Sequence, residues 1–303
     1  MVEKIIITGA NGLLGQKLIN LFCSTTAYEV FAIARGDNRN TNTENYSYVD
    51  LDLTDFVKLA TVINEVKPAI IINAAAMTNV DECEDKKEEC DIINVSLVQE
   101  LVNLCEENGT YLLHISTDFI FDGKNGPYKE DDQPNPLNYY GLSKLKSEQI
   151  IERSALKYSI IRTILVYGKV DNMTKGNLVL WLKESVENEK VVTIIDDQFR
   201  MPTFVDDLAF ACLSAVSKKA QGIFNVSSCE LLSIYDMALE VARVFNLDQS
   251  FIKRISTEEL NQKARRPAVT GFDLSKSNKI LKIPLVSFSE RLQVYKNQLL
   301  TTI

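Results

Sequence analysis

Histidine and tryptophan are almost missing from this chain: there is one of each in 303 residues. A single histidine, His114, excludes histidine-rich zinc sites and argues against a Ser-His-Asp triad. It sits inside Tyr111-Leu-Leu-His-Ile115, where alternation on a buried strand makes it a core or interface histidine rather than a catalytic one. None of the six cysteines (Cys23, Cys83, Cys90, Cys105, Cys212 and Cys229) belongs to a C-x-x-C pair. Several fall in predicted helices, where a small buried apolar residue is the expected role. Positive charge is not in excess. The formal net charge is −8, which argues against a nucleic-acid partner or an anionic membrane surface. No apolar run approaches the ~20 residues of a membrane span. The first predicted strand begins close to the N-terminus and leaves no room for a signal peptide, so the cytoplasm is the expected compartment.

What is present reads as ordinary globular protein, 46% hydrophobic and 24% charged,. Strands are predicted at 4–8, 28–34, 46–49, 69–73, 110–116 and 158–163, and helices near 12–23, 54–66, 86–108 and 140–154. Several strands are near-continuous β-branched runs, such as Ala69-Ile-Ile-Ile-Asn73, as expected of strands buried on both faces,. Alternating strand and helix implies an α/β fold of the Rossmann type, a doubly wound parallel sheet with right-handed crossovers. The segment 122–138, rich in Gly, Pro, Asp and Asn, reads as a surface loop,. Beyond Gly168 the alternation becomes irregular, with helices predicted at 175–188, 233–246 and 287–300, a strand at 190–195, and a return to helix after Met201-Pro-Thr. Residues 1–167 with about 203–227 are expected to form the dinucleotide-binding domain. Residues 168–202 with 228–303 are expected to form a smaller substrate-binding lobe.

Strand, glycine turn and helix follow one another in Lys4-Ile-Ile-Ile7, Thr8-Gly9-Ala-Asn-Gly12-Leu-Leu-Gly15 and Leu13 to Phe22. This is the context a dinucleotide site requires. Gly9 would make the tight turn, Gly12 would let the backbone approach a pyrophosphate, and Gly15 would let the helix pack on the sheet. The helix N-terminus would present free N–H groups to the phosphates. The second strand ends in Arg35, with Arg39 close behind, where NAD-selective sites usually place a carboxylate,. A guanidinium suits the 2′-phosphate of NADP, so NADPH is the expected cofactor, with NADH the alternative.

Tyr140-Gly-Leu-Ser-Lys144 opens a predicted helix, Tyr140 to Arg153. A spacing of four puts both side chains on one face, roughly 6 Å apart along the axis. Tyr139 is not equivalent, because its i+4 residue is Ser143. A lysine ammonium beside a phenol is expected to lower the phenol's pKa and let it exchange a proton with a sugar or alcohol oxygen. Upstream, His114-Ile-Ser116-Thr117-Asp118 ends a buried strand. A hydroxyl there could bond the reacting oxygen. Asp118 and Asp122 read as turn formers.

Together these segments resemble an extended short-chain dehydrogenase/reductase of the dTDP-4-dehydrorhamnose reductase-like (RmlD-like) group. The resemblance also rests on Asn73-Ala-Ala-Ala-Met-Thr-Asn-Val-Asp-Glu-Cys-Glu84, Ser116-Thr-Asp-Phe-Ile-Phe-Asp-Gly123, Pro136-Leu-Asn-Tyr-Tyr140, Pro202-Thr-Phe-Val-Asp-Asp-Leu-Ala209 and Arg266-Pro267. These segments span nearly the whole chain in family order. The resemblance implies a catalytic set of Thr117, Tyr140 and Lys144, with Lys144 also holding the nicotinamide ribose. It implies that Gly9, Asn11, Gly12, Leu13, Leu14 and Gly15 line the pyrophosphate, that Asp52 and Leu53 flank the adenine, and that Ala74, Ala75 and Ala76 run beneath the cofactor. Met77, Thr78, Val80, Thr117 and Arg266 would face a nucleotide-sugar substrate. Leu165 stands where the family often has tryptophan, and Arg200-Met-Pro replaces a more usual glycine-containing stretch. Gln16 stands where some members carry a metal-binding glutamate, so no metal is expected. The implied activity is NADPH-dependent reduction of a nucleotide-linked 4-keto-6-deoxy sugar. An NADP-binding regulatory subunit, as in methionine adenosyltransferase, and a nucleotide-sugar epimerase or dehydratase remain as alternatives. The oligomeric state is left open, a homodimer being compatible with it.

Overall fold

Runs of β-branched residues build the centre of the molecule. In the computed structural model, which describes residues 2–173 and 176–300, seven strands form one sheet in the order β7-β6-β5-β4-β1-β2-β3, every neighbouring pair parallel. They are β1 (Glu3–Thr8), β2 (Tyr28–Ala34), β3 (Tyr46–Asp50), β4 (Ile70–Asn73), β5 (Tyr111–Thr117), β6 (Tyr158–Thr163) and β7 (Gly222–Val226). Ile5, Ile6 and Ile7 are fully buried, which only a strand covered on both faces allows. Each such side chain contributes about 1.5–3 kcal/mol by leaving water.

Helices cover both faces. On one, α1 (Leu13–Cys23) and α5 (Val205–Ser217) pack Leu18, Ile19, Phe22, Leu208 and Cys212 against Ile5 and Ile7. On the other, α2 (Phe56–Val66) and α3 (Leu97–Asn108) pack Leu59, Ile63, Leu97 and Leu101 against Ile6 and Ile71. The strand order reverses between β1 and β4. That switch point opens the crevice in which doubly wound folds bind ligands. A separate apolar cluster, including Tyr167, Leu182, Ile194, Met237, Val241, Phe288 and Tyr295, lies beyond the sheet. It is built from helices Leu178–Glu187, Ile234–Phe245 and Phe288–Leu300 and the parallel strands Val192–Ile195 and Ile252–Ile255.

The six strands and the first-half helices expected from sequence are present, with differences. The expected strands omit β7, whose Gly222-Ile-Phe-Asn-Val is short and follows an irregular stretch. The helix expected at 86–108 is interrupted: Lys87–Asp91 is α-helical, Ile92–Ser96 is a π turn, and α3 follows. The π turn carries Asn94 into the interior. A short helix, Val80–Asp85, precedes it. The segment 122–138 is not simply a surface loop. Tyr128 is buried and stacks on Phe121 with ring centroids 4.1 Å apart, and its carbonyl accepts from Asn225 Nδ2 at 3.0 Å. The helix expected at 175–188 runs over Leu178–Glu187; residue 175 lies outside the described residues.

Candidate active site

Backbone geometry shapes one end of the crevice. Gly9 has φ +68°, the left-handed region that favours glycine, and a Cβ there would stand 2.8 Å from the Ala74 carbonyl,. At Gly15 a Cβ would stand 2.2 Å from the Gly9 carbonyl oxygen, so only glycine lets α1 start this close to β1. Gly12 is the N-cap of α1, with no side-chain cap and no acidic residue in the first turn. The first N–H groups of α1, including those of Leu13 and Leu14, are thus open to an anion. The cradle fits a pyrophosphate.

Asn11 is differently employed than expected. Its Nδ2 donates to the Arg35 and Asp37 carbonyls at 3.3 and 2.9 Å, and its Oδ1 accepts from Arg39 N at 3.0 Å. It knits the glycine turn to the loop after β2. Arg35 is largely exposed and lies 3.4 Å from Asp52 Oδ2. Asp52 also accepts from Thr54 N at 3.0 Å, a bond that, with its neighbours, holds its carboxyl below the usual range. Leu53 packs on the α2–α3 core. Gln16 is buried and donates to the Asp171 carbonyl at 3.0 Å. Asp171 Oδ2 accepts from Thr41 N and hydroxyl, and Asn172 donates to the Arg39 carbonyl at 3.0 Å. A connector to the second apolar cluster is thereby strapped across the loop at 36–45.

Side chains build the other end. Helix α4 (Tyr139–Glu152) begins at Asn138, whose Oδ1 accepts from Gly141 N at 2.8 Å,. A Cβ at Gly141 would lie 2.0 Å from the Phe119 carbonyl oxygen. That glycine brings the first turn of α4 hard against the end of β5. Tyr140 meets Phe119 edge-on at 6.0 Å, and its phenol lies near enough to the Thr117 hydroxyl to feel it. Burial pushes the Tyr140 phenol up; Thr117 opposes this, while Asp118, Cys83 and Cys90 add to it. The expectation that Lys144 lowers the phenol is therefore corrected: desolvation raises it, and the Lys144 amine is turned to His114 instead. Lys144 is buried and turns inward, its Nζ 2.8 Å from His114 Nε2, and burial pushes it down to about 8.

Asp118 is more than a turn former. It is buried, its carboxylate accepts from Thr270 and, at 3.1 Å, from Thr117, and Arg200 Nε lies 3.8 Å away. Arg200 itself donates to the Pro267 and Ala268 carbonyls at 2.7 and 3.1 Å. This arginine ties the Thr117 turn to the segment carrying Arg266.

The residues expected at a substrate fall on the stretch after β4 and on the segment that packs against it. Ala74, Ala75 and Ala76 follow the end of β4. Met77 exchanges two bonds with Asn94, N to Oδ1 at 2.9 Å and Nδ2 to O at 3.0 Å. Asn94 Nδ2 also reaches Ser143 of α4 at 2.9 Å. Thr78 leads into Asn79, which caps the helix that starts at Val80. Arg266 pairs with Asp81 at 2.8 Å rather than standing free, and Asp81 is held below its usual range by that bond first. Leu165 is half-exposed in the left-handed region at φ +41°. Sequence reasoning missed Asn94, His114, Arg200 and the second role of Asp118 as site residues. An asparagine inside the apolar run Ile92-Ile-Asn-Val95 was the one available signal for Asn94,.

No helix among the described residues is long and apolar enough to cross a membrane. The sequence model described as "RmlD substrate binding domain" matches residues 3–301. A dTDP-4-dehydrorhamnose reductase of Aggregatibacter actinomycetemcomitans is 31% identical over 287 residues, 91% of this chain and 92% of the relative. The methionine adenosyltransferase 2 subunit beta of Xenopus tropicalis is 30% identical over 283 residues, 92% and 82% of the two chains. Among solved structures, a dTDP-4-dehydrorhamnose reductase of Bacillus anthracis in complex with NADP superposes with a TM-score of 0.83 at 28% identity, covering 98% of this chain and 100% of that one.

Proposed function

Because the chain belongs to the RmlD substrate-binding family, we propose that it is an NADPH-dependent reductase acting on the C4 ketone of a nucleotide-linked 4-keto-6-deoxy sugar. The feature that supports this reading is the placing of Thr117 at the end of β5 and of Tyr140 and Lys144 in the first turns of α4, beside a glycine cradle at the switch point. When bound, the dinucleotide supplies the hydride. Gly9, Gly12 and Gly15 accommodate its pyrophosphate, Ala74 to Ala76 lie along it, and Arg35 favours a 2′-phosphate. The resemblance places Asp52 and Leu53 by the adenine, and Met77, Thr78, Val80 and Arg266 by the nucleotide-sugar.

Tyr140 is suited to donating rather than accepting. A phenol raised by burial holds its proton at neutral pH and can give it to a ketone oxygen as that oxygen gains charge,. Thr117 orients the oxygen, and Lys144 offers its amine to the ribose. Acid catalysis of this kind is worth roughly 10²–10⁴-fold. Residues 168–202 and 228–303, which carry most of the second apolar cluster, serve as the substrate lobe in this reading. Leu165, half-exposed, is smaller than the tryptophan the family often has there and would loosen the grip on the sugar.

The test is NADPH consumption in the presence of dTDP-4-dehydrorhamnose and related 4-keto sugars. Oxidation of NADPH with one of them is expected. The similarity of 92% of this chain to a methionine adenosyltransferase 2 subunit beta favours a second reading, an NADP-binding regulatory subunit. Tight NADPH binding with no turnover across the panel would select it.

A further inference from the structure

His114 is the chain's sole histidine and is fully buried between β4 and α4. Its Nδ1 lies 3.1 Å from Asn73 Nδ2, and its Nε2 lies 2.8 Å from Lys144 Nζ and 3.2 Å from Ser147 Oγ. Two donors settle how Asn73 is turned. The Thr8 hydroxyl at 2.7 Å and the Ala75 backbone N–H at 3.3 Å both point at Asn73 Oδ1. The amide nitrogen therefore faces the ring, and a ring nitrogen that meets an N–H presents its lone pair. This puts the imidazole proton on Nε2. Ser147 spends its own proton on the Lys144 carbonyl at 2.7 Å, so the Nε2 proton is directed to the lone pair of a free Lys144 amine, with Ser147 Oγ beside it.

A protonated Lys144 has no lone pair to offer. Nε2 would then have to accept, the ring proton would move to Nδ1, and Asn73 would have to turn its oxygen inward and give up Thr8 and Ala75. We propose that His114 is a positioning residue for Lys144: its ring, keyed by Asn73 and Thr8, holds the amine in place and couples the charge of that amine to the imidazole tautomer. The link to catalysis rests on the reductase reading; the link between the two side chains does not.

The surroundings agree. Burial disfavours charge on both groups, lowering Lys144 to about 8 and His114 well below its usual range, and Lys144 adds to the effect on His114. Glu148, one turn along α4, favours the ammonium, but its carboxylate is held at 2.7 Å by Arg162 of β6. The Cys90 thiol is the charged-state neighbour from the segment Lys87–Asp91, and Tyr140 precedes Lys144 on α4.

With one histidine, the long-range ¹H–¹⁵N imidazole spectrum of the untagged protein needs no assignment. The expected result is a ring that stays neutral, carries its proton on Nε2 at high pH, and changes tautomer as pH falls through about 8. Lys144→Met should freeze the Nε2–H form throughout. A ring that becomes imidazolium near its usual pH, a spectrum blind to pH across that window, or an unchanged response in Lys144→Met would overturn the proposal. In binding, His114→Phe should weaken NADPH by about 10-fold and His114→Gln should recover most of it; equal loss in both would count against positioning. Neither readout needs the sugar. The expected spectrum in a protein that reduces no 4-keto sugar would sink only the reductase reading, whereas active enzyme with an indifferent ring would sink only this one.

Discussion

The two ends of the crevice are made in opposite ways. At the glycine turn the shape is backbone: a left-handed Gly9, and a Gly15 whose place no Cβ could share. At the head of α4 the shape is side chain: Tyr140 beside Thr117, and Lys144 bonded to His114, each pair joining β5 to a helix more than twenty residues on. A cradle of main-chain N–H groups suits a ligand common to many enzymes. A buried polar network suits one proton transfer and tolerates little change, because each buried group left without a partner costs about 1–3 kcal/mol.

The contrast can be broken most forcefully at the chemical end. Tyr140→Phe should lower kcat by roughly 10²–10⁴-fold while NADPH affinity, measured by fluorescence titration, stays within a few-fold; retained turnover would disprove the assignment. Next comes a stability effect. The folded pKa of Lys144, about 8, lies below its ordinary 10.5, so between these values the unfolded chain binds the extra proton. Stability should therefore rise with pH across that window, by on the order of 3 kcal/mol at most. Urea unfolding at pH 7.5 and 10 should show a larger gain for wild type than for Lys144→Met.

Two glycine variants divide the ends more finely. Gly15→Ala and Gly141→Ala each force a Cβ onto a carbonyl oxygen, at 2.2 and 2.0 Å, and should each cost about 1–3 kcal/mol in thermal unfolding. Gly15→Ala should raise the KM for NADPH and spare kcat, and Gly141→Ala should do the reverse. The same kinetic change in both would erase the distinction. Asn138→Ala removes the cap of α4 and should lower stability by about 1 kcal/mol, visible as a reduced melting temperature. The smallest effect is expected at Arg35, largely exposed and loosely paired with Asp52. Arg35→Ser should shift the NADPH-to-NADH preference by only a few-fold, read as a ratio of KM values.

How far the sequence could be read follows the same division. The glycine turn was legible because its residues lie within one strand–turn–helix unit, where spacing alone states the geometry. Thr117 and Tyr140 could be placed because each sits at the end of a recognisable element. The partner of Lys144 could not. His114 is 30 residues away and looks like one more inward residue on an apolar strand. Only the register of β4 against β5, which pairs Asn73 with His114, shows the polar chain running through the core. Asp118 was read as a turn former because the arginine that faces it, Arg200, comes from beyond the sheet, where sequence periodicity fades. The seventh strand went unread for a similar reason: five residues with a glycine at the start carry too little pattern to stand out.

The bond between Arg266 and Asp81 has its own consequence. An anion drawn to that arginine would not meet a bare cation; it would compete with a carboxylate already in place. Binding there would then be an exchange, its strength the difference between two ion pairs. A singly charged sugar acid would gain little by the trade, whereas a diphosphate, with more charge and more acceptor oxygens, would gain on both counts.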